Sequence, residues 1–266
     1  MEIKIVTLNC FDSPMSKNRK LKVDNLILET INLKPDVVCL QEVIFSKTAN
    51  RISKIFREKG YNIFFNTSLI FNKGGLFVAS LLPITATKFN HFDSQGTFDS
   101  LQVTDRILGK GYQRVVLSVK GSRIVLFNVH MVGIYNVDSE RQNGSLRKQL
   151  LQLVEALKME EIKLIVSGDF NFKPSNYLYT KLLDITHLVD PSFGTDSITV
   201  FANNTTSWKF NLGLKFNLNK KIDYTLVSKD LAKDITQKVI FDELSKIKNK
   251  EIHLSDHFGL LTSLKI

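Results

Sequence analysis

Asp169 and Asn171 stand two positions apart where the apolar run Leu164-Ile165-Val166-Ser167-Gly168 breaks off, offering a carboxylate and a carboxamide at its end. Such a run reads as a buried strand. Alternation along it would send both side chains to one face, with Gly168 letting a ligand or another backbone come close. Four other apolar runs end similarly: Ile5 to Asn9, Val37 to Glu42, Val125 to His130, and Lys221 to Tyr224 with Asp223 inside it. A sixth cluster, Ser255-Asp256-His257, precedes the closing apolar run. Taken singly, each residue has an ordinary explanation: a solvated charge for Glu42, a turn cap for Asn9 or Asp223, a satisfied half-buried histidine for His130. Six polar clusters at the ends of apolar segments point instead to one shared site at one edge of a packed sheet core.

The donor types indicate the chemistry. Carboxylates at Glu42, Asp169 and Asp256, with amide oxygens at Asn9 and Asn171, are hard ligands that suit magnesium, or manganese or another divalent cation, far better than zinc. The two cysteines, Cys10 and Cys39, each lie inside an apolar run and read as reduced core residues, so no Cys/His cluster competes for that role. An imidazole titrates near pH 6.5, so His257 can accept a proton at neutral pH. Oriented by a carboxylate, for which Asp223 is the candidate, it would be a competent general base.

The elements that must position these groups follow from periodicity. A strand over residues 4–10 is followed by a helix with Val23, Leu26, Ile27, Thr30 and Ile31 on one face, then by a strand that Pro35-Asp36 opens. A shorter helix carries Ile52, Ile55 and Phe56. From Tyr61 to Ile84, strands are expected on either side of a turn at Asn72-Lys73-Gly74-Gly75. The segments 89–111, 131–145 and 191–221 read as long loops, with a period-two apolar stretch from Phe210 to Leu218 in the last. Strands over 112–119 and 123–130, a helix with Leu146, Leu150, Leu153, Val154 and Leu157 inward, the central strand over 162–167, a helix from Tyr177 to Leu183, and strands over 222–227 and 258–266 complete a mixed sheet.

Composition excludes several classes. A chain of 266 residues with 43% hydrophobic and 23% charged residues can bury a sizeable core, shows no linker or repeat, and reads as a single domain and a monomer. No stretch approaches the length of a membrane span and no leader is visible, so the expected location is cytoplasmic. A formal charge of +10 suits phosphate-bearing partners, nucleic acid or a lipid headgroup surface.

Thr7-Leu8-Asn9, Leu40-Gln41-Glu42, Asn128-Val129-His130, Gly168-Asp169-Phe170-Asn171, Ile222-Asp223-Tyr224 and Ser255-Asp256-His257 occur in the order of the endonuclease/exonuclease/phosphatase superfamily, which the chain resembles. The resemblance implies a DNase I-like α/β (α+β) fold, a four-layer sandwich of two packed mixed β-sheets flanked by helices, and a magnesium-dependent phosphodiesterase. It implies that Glu42 binds the metal with Asn9 nearby, that Asp256 adjoins it, and that His257 paired with Asp223 activates water. Asp169 and Asn171 would hold the nucleophile or phosphate, and His130 would stabilise phosphoryl charge. Within the superfamily the chain is most similar to neutral sphingomyelinases, on Leu8-Asn9-Cys10-Phe11 followed by the basic Ser16 to Arg19, on Gly109-Lys110-Gly111 ahead of a strand, and on the spacing from His130 to Arg147 and Gln149. Lys110 and Arg147 are thereby expected to bind substrate, the substrate is expected to be a sphingomyelin-type phospholipid, and peripheral membrane contact would come from loops such as Lys209 to Lys221. A nuclease or nucleotide phosphodiesterase is the alternative, and a non-catalytic binding module on the same scaffold a third.

Overall fold

The computed structural model describes residues 1–98, 102–134, 140–195, 197–206 and 219–266. In chain order the elements are β1 (Glu2–Asn9), α1 (Arg19–Asn32), β2 (Val37–Gln41), α2 (Ser46–Arg57), β3 (Asn62–Thr67), β4 (Asn72–Ser80), β5 (Ile84–His91), α3 (Gln102–Leu108), β6 (Gly111–Val119), β7 (Ser122–His130), α4 (Glu140–Lys158), β8 (Lys163–Asp169), α5 (Tyr177–Thr186), β9 (Asp223–Val227), β10 (Ile235–Ile240), β11 (Ser245–Ile247), β12 (Lys250–Ile252) and β13 (Gly259–Lys265). They form a six-stranded sheet ordered β10-β13-β1-β2-β4-β3, a five-stranded sheet ordered β5-β6-β7-β8-β9, and a small β11-β12 ribbon. Both large sheets are mixed: β1 and β2 pair in parallel, as do β7 and β8, and the remaining neighbours are antiparallel.

Burial assigns the layers. The outer face of the first sheet packs Val6, Leu8 and Leu40 against Val23, Leu26 and Ile27 of α1 and Ile52 and Phe56 of α2. The second sheet packs Val125, Phe127 and Val166 against the Leu146-Leu150-Leu153-Leu157 stripe of α4 and Leu178 and Leu182 of α5. Between the sheets lie Ile3, Ile5, Val37, Cys39, Ile124, Leu126, Ile165 and Val227. The result is the expected four layers, helices, sheet, sheet, helices.

The inner face changes character along each strand. Moving toward one edge, β1 presents Ile3, Ile5, Thr7 and Asn9, and β7 presents Ile124, Leu126, Asn128 and His130. The middle tier ties the sheets together: Gln41 Nε2 donates to Asn128 Oδ1 at 2.7 Å and to Thr7 Oγ1 at 3.1 Å, while Asn128 Nδ2 reaches Leu40 O and Gln113 Oε1. A buried amide with its partners supplied costs little, and with one removed it costs about 1–3 kcal/mol, so this tier fixes how the sheets register on one another. The final tier is the site.

Several expectations change. Asn72 to Gly75 is the start of β4 rather than a turn, and the chain reverses at Ser68 to Phe71 instead. Gly75, at φ 64°, is small because an added Cβ would sit 3.2 Å from Glu42 Cα. The 89–111 segment contains the end of β5 and helix α3, and α4 starts inside the expected 131–145 loop. Asp169 is the last residue of β8, not beyond it. Strands β10 to β12 carried no clear apolar period, being short and half exposed. The stretch from Phe210 to Leu218, and with it most of Lys209 to Lys221, lies outside the described residues.

Candidate active site

Strand direction brings the reactive residues to one edge. β1, β2, β7 and β8 end there, while β9 and β13 run antiparallel to their neighbours and therefore begin there. Asp223 thus sits at the start of β9 rather than at a strand end, directly opposite Asp169, which in turn pairs in register with His130. Asp256 and His257 lie just before β13. A cleft of about 470 Å³ opens over this edge, lined by Glu42, Lys110, Asp169, Asn171, Asp256 and His257 together with Asp105. Its more exposed lining is apolar, with Met15, Phe45, Phe71 and Ile107 around the more buried charged floor.

Gly168 explains how the two parallel strands fit. At φ 143° it faces Val129, and an added Cβ would lie 2.0 Å from Val129 O, so the close approach anticipated from sequence is that of a neighbouring backbone. Asp169 and Asn171 do not share a strand face, because the chain leaves β8 and Asn171 takes a left-handed φ of 56°. Asn171 N donates to Asp169 Oδ1 at 2.9 Å, and its Nδ2 donates to Met131 O at 2.9 Å. Phe11 and Glu42 are likewise left-handed, at φ 47° and 52°. Three non-glycine residues in this region surround one cleft, and such conformations cost on the order of 1 kcal/mol each unless the surroundings impose them.

His257 Nδ1 lies 2.9 Å from Asp223 Oδ2, both side chains being buried. That contact fixes the ring and leaves Nε2 facing the cleft, 3.9 Å from Asp169 Oδ2. Burial alone would lower the His257 pKa, but Asp223, Asp169 and Asp256 overcome it and hold the imidazole well above its usual range. Asp169 and Asp256 are both raised, first by burial; Asp223 and Glu42 push Asp169 the same way, and Glu42 pushes Asp256. Asn9 spends its amide on placement, Nδ2 donating to Asp169 Oδ2 at 3.1 Å while Oδ1 accepts from Phe11 N.

His130 is fully buried. Burial, and next the Lys110 ammonium, hold it well below its usual range, so it is a neutral ring accepting from Lys110. Of these two groups the lysine therefore carries the positive charge, and Lys110 is itself paired with Asp105 Oδ1 at 3.1 Å. Asp105, which no sequence pattern singled out, accepts from Gly133 N and fixes Lys110. Arg147 is exposed on α4 and does not line the cleft, so the structure does not bring it to the other residues. Its neighbour Gln149 is buried and braces the loop after β7, accepting from Val132 N at 2.9 Å.

Asp169, Asp223 and His257 each place a ligand atom within 4.8 Å of the others. Asp223 and His257 already satisfy one another, which leaves a cation little to gain there. Glu42 and Asp256 fit better: Asp256 Oδ1 is buried without a hydrogen-bond partner, and the Glu42 carboxylate, 22% exposed, lies 3.9 Å from His130 Nε2, beyond bonding distance. An uncompensated Asp256 oxygen, with the Glu42 carboxylate close enough to raise that group's pKa, has the chemistry that suits a hard divalent cation.

Residues 6–257 match the sequence pattern of the Endonuclease/Exonuclease/phosphatase family. The chain belongs to that family. A Drosophila melanogaster protein named as a candidate neutral sphingomyelinase is 27% identical across 100% of the chain, which spans 61% of that protein's length. Sphingomyelinase C from Streptomyces griseocarneus superposes with a TM-score of 0.76 at 17% identity, covering 100% of both chains. Beta toxin from Staphylococcus aureus, solved with bound magnesium ions, gives 0.79 at 15% identity, again over 100% of both. Zebrafish (D. rerio) TDP2 with a single-strand DNA product gives 0.74 at 16% identity, over 100% of this chain and 99% of that one. At these identities the solved structures establish the shared DNase I-like fold, which a protein named as a sphingomyelinase and one solved with DNA have in common.

Proposed function

We propose that the chain is a magnesium-dependent phosphodiesterase that hydrolyses a sphingomyelin-type phospholipid to ceramide and phosphocholine. The observation that carries this reading is that the Asp223–His257 pair and the Glu42 and Asp256 carboxylates open into one cleft with an apolar rim. A charged floor suits a phosphodiester, and the rim suits the hydrocarbon flank of a lipid better than a hydrated nucleic-acid backbone.

In the proposed reaction His257 Nε2 accepts a proton from water as the water oxygen attacks phosphorus, and Asp223 holds the ring through Nδ1. The phosphorus–oxygen bond to ceramide breaks, and the leaving oxygen takes a proton. Lys110, oriented by Asp105 and His130, supplies positive charge toward the phosphoryl oxygens, and Asn9 and Asn171 hold Asp169 in place. Bound by Glu42 and Asp256, a divalent ion would neutralise phosphoryl charge and offset the carboxylate field that keeps His257 protonated.

The test is a side-by-side assay of the purified protein with magnesium on sphingomyelin vesicles, abasic DNA, single-stranded RNA and a generic soluble bis-ester. Turnover of sphingomyelin with little of the nucleic acids is expected. Turnover of nucleic acid with none of lipid would overturn the substrate assignment while leaving the site chemistry intact.

A further inference from the structure

The turn between β3 and β4 holds two large aliphatic side chains out in water: Leu69 is 101% exposed and Ile70 61%. The turn is pinned, not loose. Ser68 N donates to Phe71 O at 2.7 Å, and Ser46, at the start of α2, donates twice to the turn, its Oγ to Ser68 O and its N–H to Ile70 O, each at 2.9 Å. A rigid apolar tip of this kind serves no packing purpose in the isolated chain.

Helix α2, bonded to that tip, carries Lys47, Arg51, Lys54 and Arg57 and no acidic residue. Its inner face is apolar, through Ile52 and Phe56. Arg51 is partly neutralised by Asp24 at 2.8 Å, while Lys47 and Lys54 are exposed. Grooves of about 410 and 630 Å³ run between the helix and the tip, with Lys20, Lys47 and Arg51 lining both, Leu69 bordering both, and no carboxylate in either. Phe45 lines one of these grooves and also the catalytic cleft, so the two surfaces are continuous.

We infer that the Leu69-Ile70 tip and the cationic face of α2 form a docking surface for an anionic lipid membrane, with the aliphatic pair entering the headgroup boundary and the lysines meeting acidic headgroups. The charge favours an anionic surface, and the aliphatic tip distinguishes lipid from nucleic acid, because Leu and Ile cannot stack on bases. That the docked surface delivers substrate to the cleft rests on the proposed lipid activity; the docking itself does not.

Binding is therefore measured without substrate. Wild-type protein is sedimented with vesicles of phosphatidylcholine alone and of phosphatidylcholine mixed with phosphatidylserine, neither containing sphingomyelin, and its mass is followed by light scattering. Retention is expected on the anionic vesicles. Lys47→Gln with Lys54→Gln should weaken it about twenty-fivefold, at roughly fivefold per cation, and Leu69→Ser with Ile70→Ser by roughly tenfold or more. Both double variants change exposed residues outside the cleft, so melting temperature and turnover of a soluble bis-ester should stay at wild-type values. Retention of wild type on anionic vesicles with no sphingomyelin turnover would uphold the docking surface and remove the substrate assignment. Equal retention on neutral and anionic vesicles, no loss in either variant, binding to duplex DNA in place of vesicles, or a dimer that only the variants dissociate would each overturn it.

Discussion

Replacing Asp223 by Asn asks whether the His257 contact does chemical work. The side chains are nearly isosteric, and Asp223 Oδ1 is already buried without a hydrogen-bond partner, so the exchange removes no second bond. With the amide oxygen toward Nδ1 the ring keeps its orientation but loses the facing charge; with the amide nitrogen there, Nδ1 must accept and Nε2 carries the proton, which disables it as a base. Two charges at contact distance interact by about 4 kcal/mol at an effective dielectric near 20, and at about 1.4 kcal/mol per decade that is roughly three decades in rate. Both groups are buried, so solvent screening does not shrink that figure much. The variant should therefore lose about a thousandfold or more in kcat on a soluble bis-ester with magnesium. Its circular dichroism should stay native-like, with a melting temperature below that of wild type because a buried charge pair is broken. Because Asp223 raises the His257 pKa, the acid limb of the residual activity should move to lower pH. Activity within tenfold of wild type, with an unmoved pH profile, would refute the base assignment.

Other perturbations probe separate parts of the argument. His257→Ala and Glu42→Ala should each abolish turnover while near-native circular dichroism is retained; near wild-type rates in either would show the mechanism to be misassigned. Lys110→Met strands the buried Asp105 carboxylate and should cost about 3 kcal/mol in denaturant unfolding, whereas adding Asp105→Asn should restore much of the stability and none of the rate. Gly168→Ala places a methyl group 2.0 Å from Val129 O at a φ of 143° and should prevent soluble expression or lower the melting point severely. Tyr61, hydrogen-bonded to Pro35 O, has its pKa pushed up to about 12 by burial from an ordinary 10.0. Its contribution is complete below pH 10 and lost as pH rises through 12, so Tyr61→Phe should flatten the fall in stability across that window, by up to about 3 kcal/mol.

Much of this arrangement could be read from sequence because the inner faces of the strands turn polar toward one edge, and that pattern survives in one dimension as apolar runs ending in Asn, Glu, His and Asp. The layer order followed from the same runs and from the α4 leucine stripe. What sequence could not supply was strand direction. Asp223 and the Asp256-His257 pair reach the site because their strands begin where the parallel ones end, and partners as distant as Asp169 from Asp223, or Thr7 from Leu260, leave no local signature. Asp105 was missed for a related reason: its partner Lys110 is near in sequence, but its value depends on burial beneath the 131–134 segment, which spacing does not reveal. The Asn72 to Gly75 stretch misled because glycine marks both turns and close backbone contacts. Arg147 was carried by spacing alone, and a helix turns an exposed position away from a site as readily as toward it.

The pairing of β1 with β13 has a consequence for how the protein comes into being. The second strand of the molecule to be translated already has its parallel neighbour, but the other flank of β1 stays open until the segment around Leu260 leaves the ribosome. The five strands from Ile84 to Val227 can associate earlier, among themselves. Under the proposed mechanism, hydrolytic competence waits for the returning strand to seat His257, and a nascent chain held short of that point carries an unprotected edge and an inert cleft.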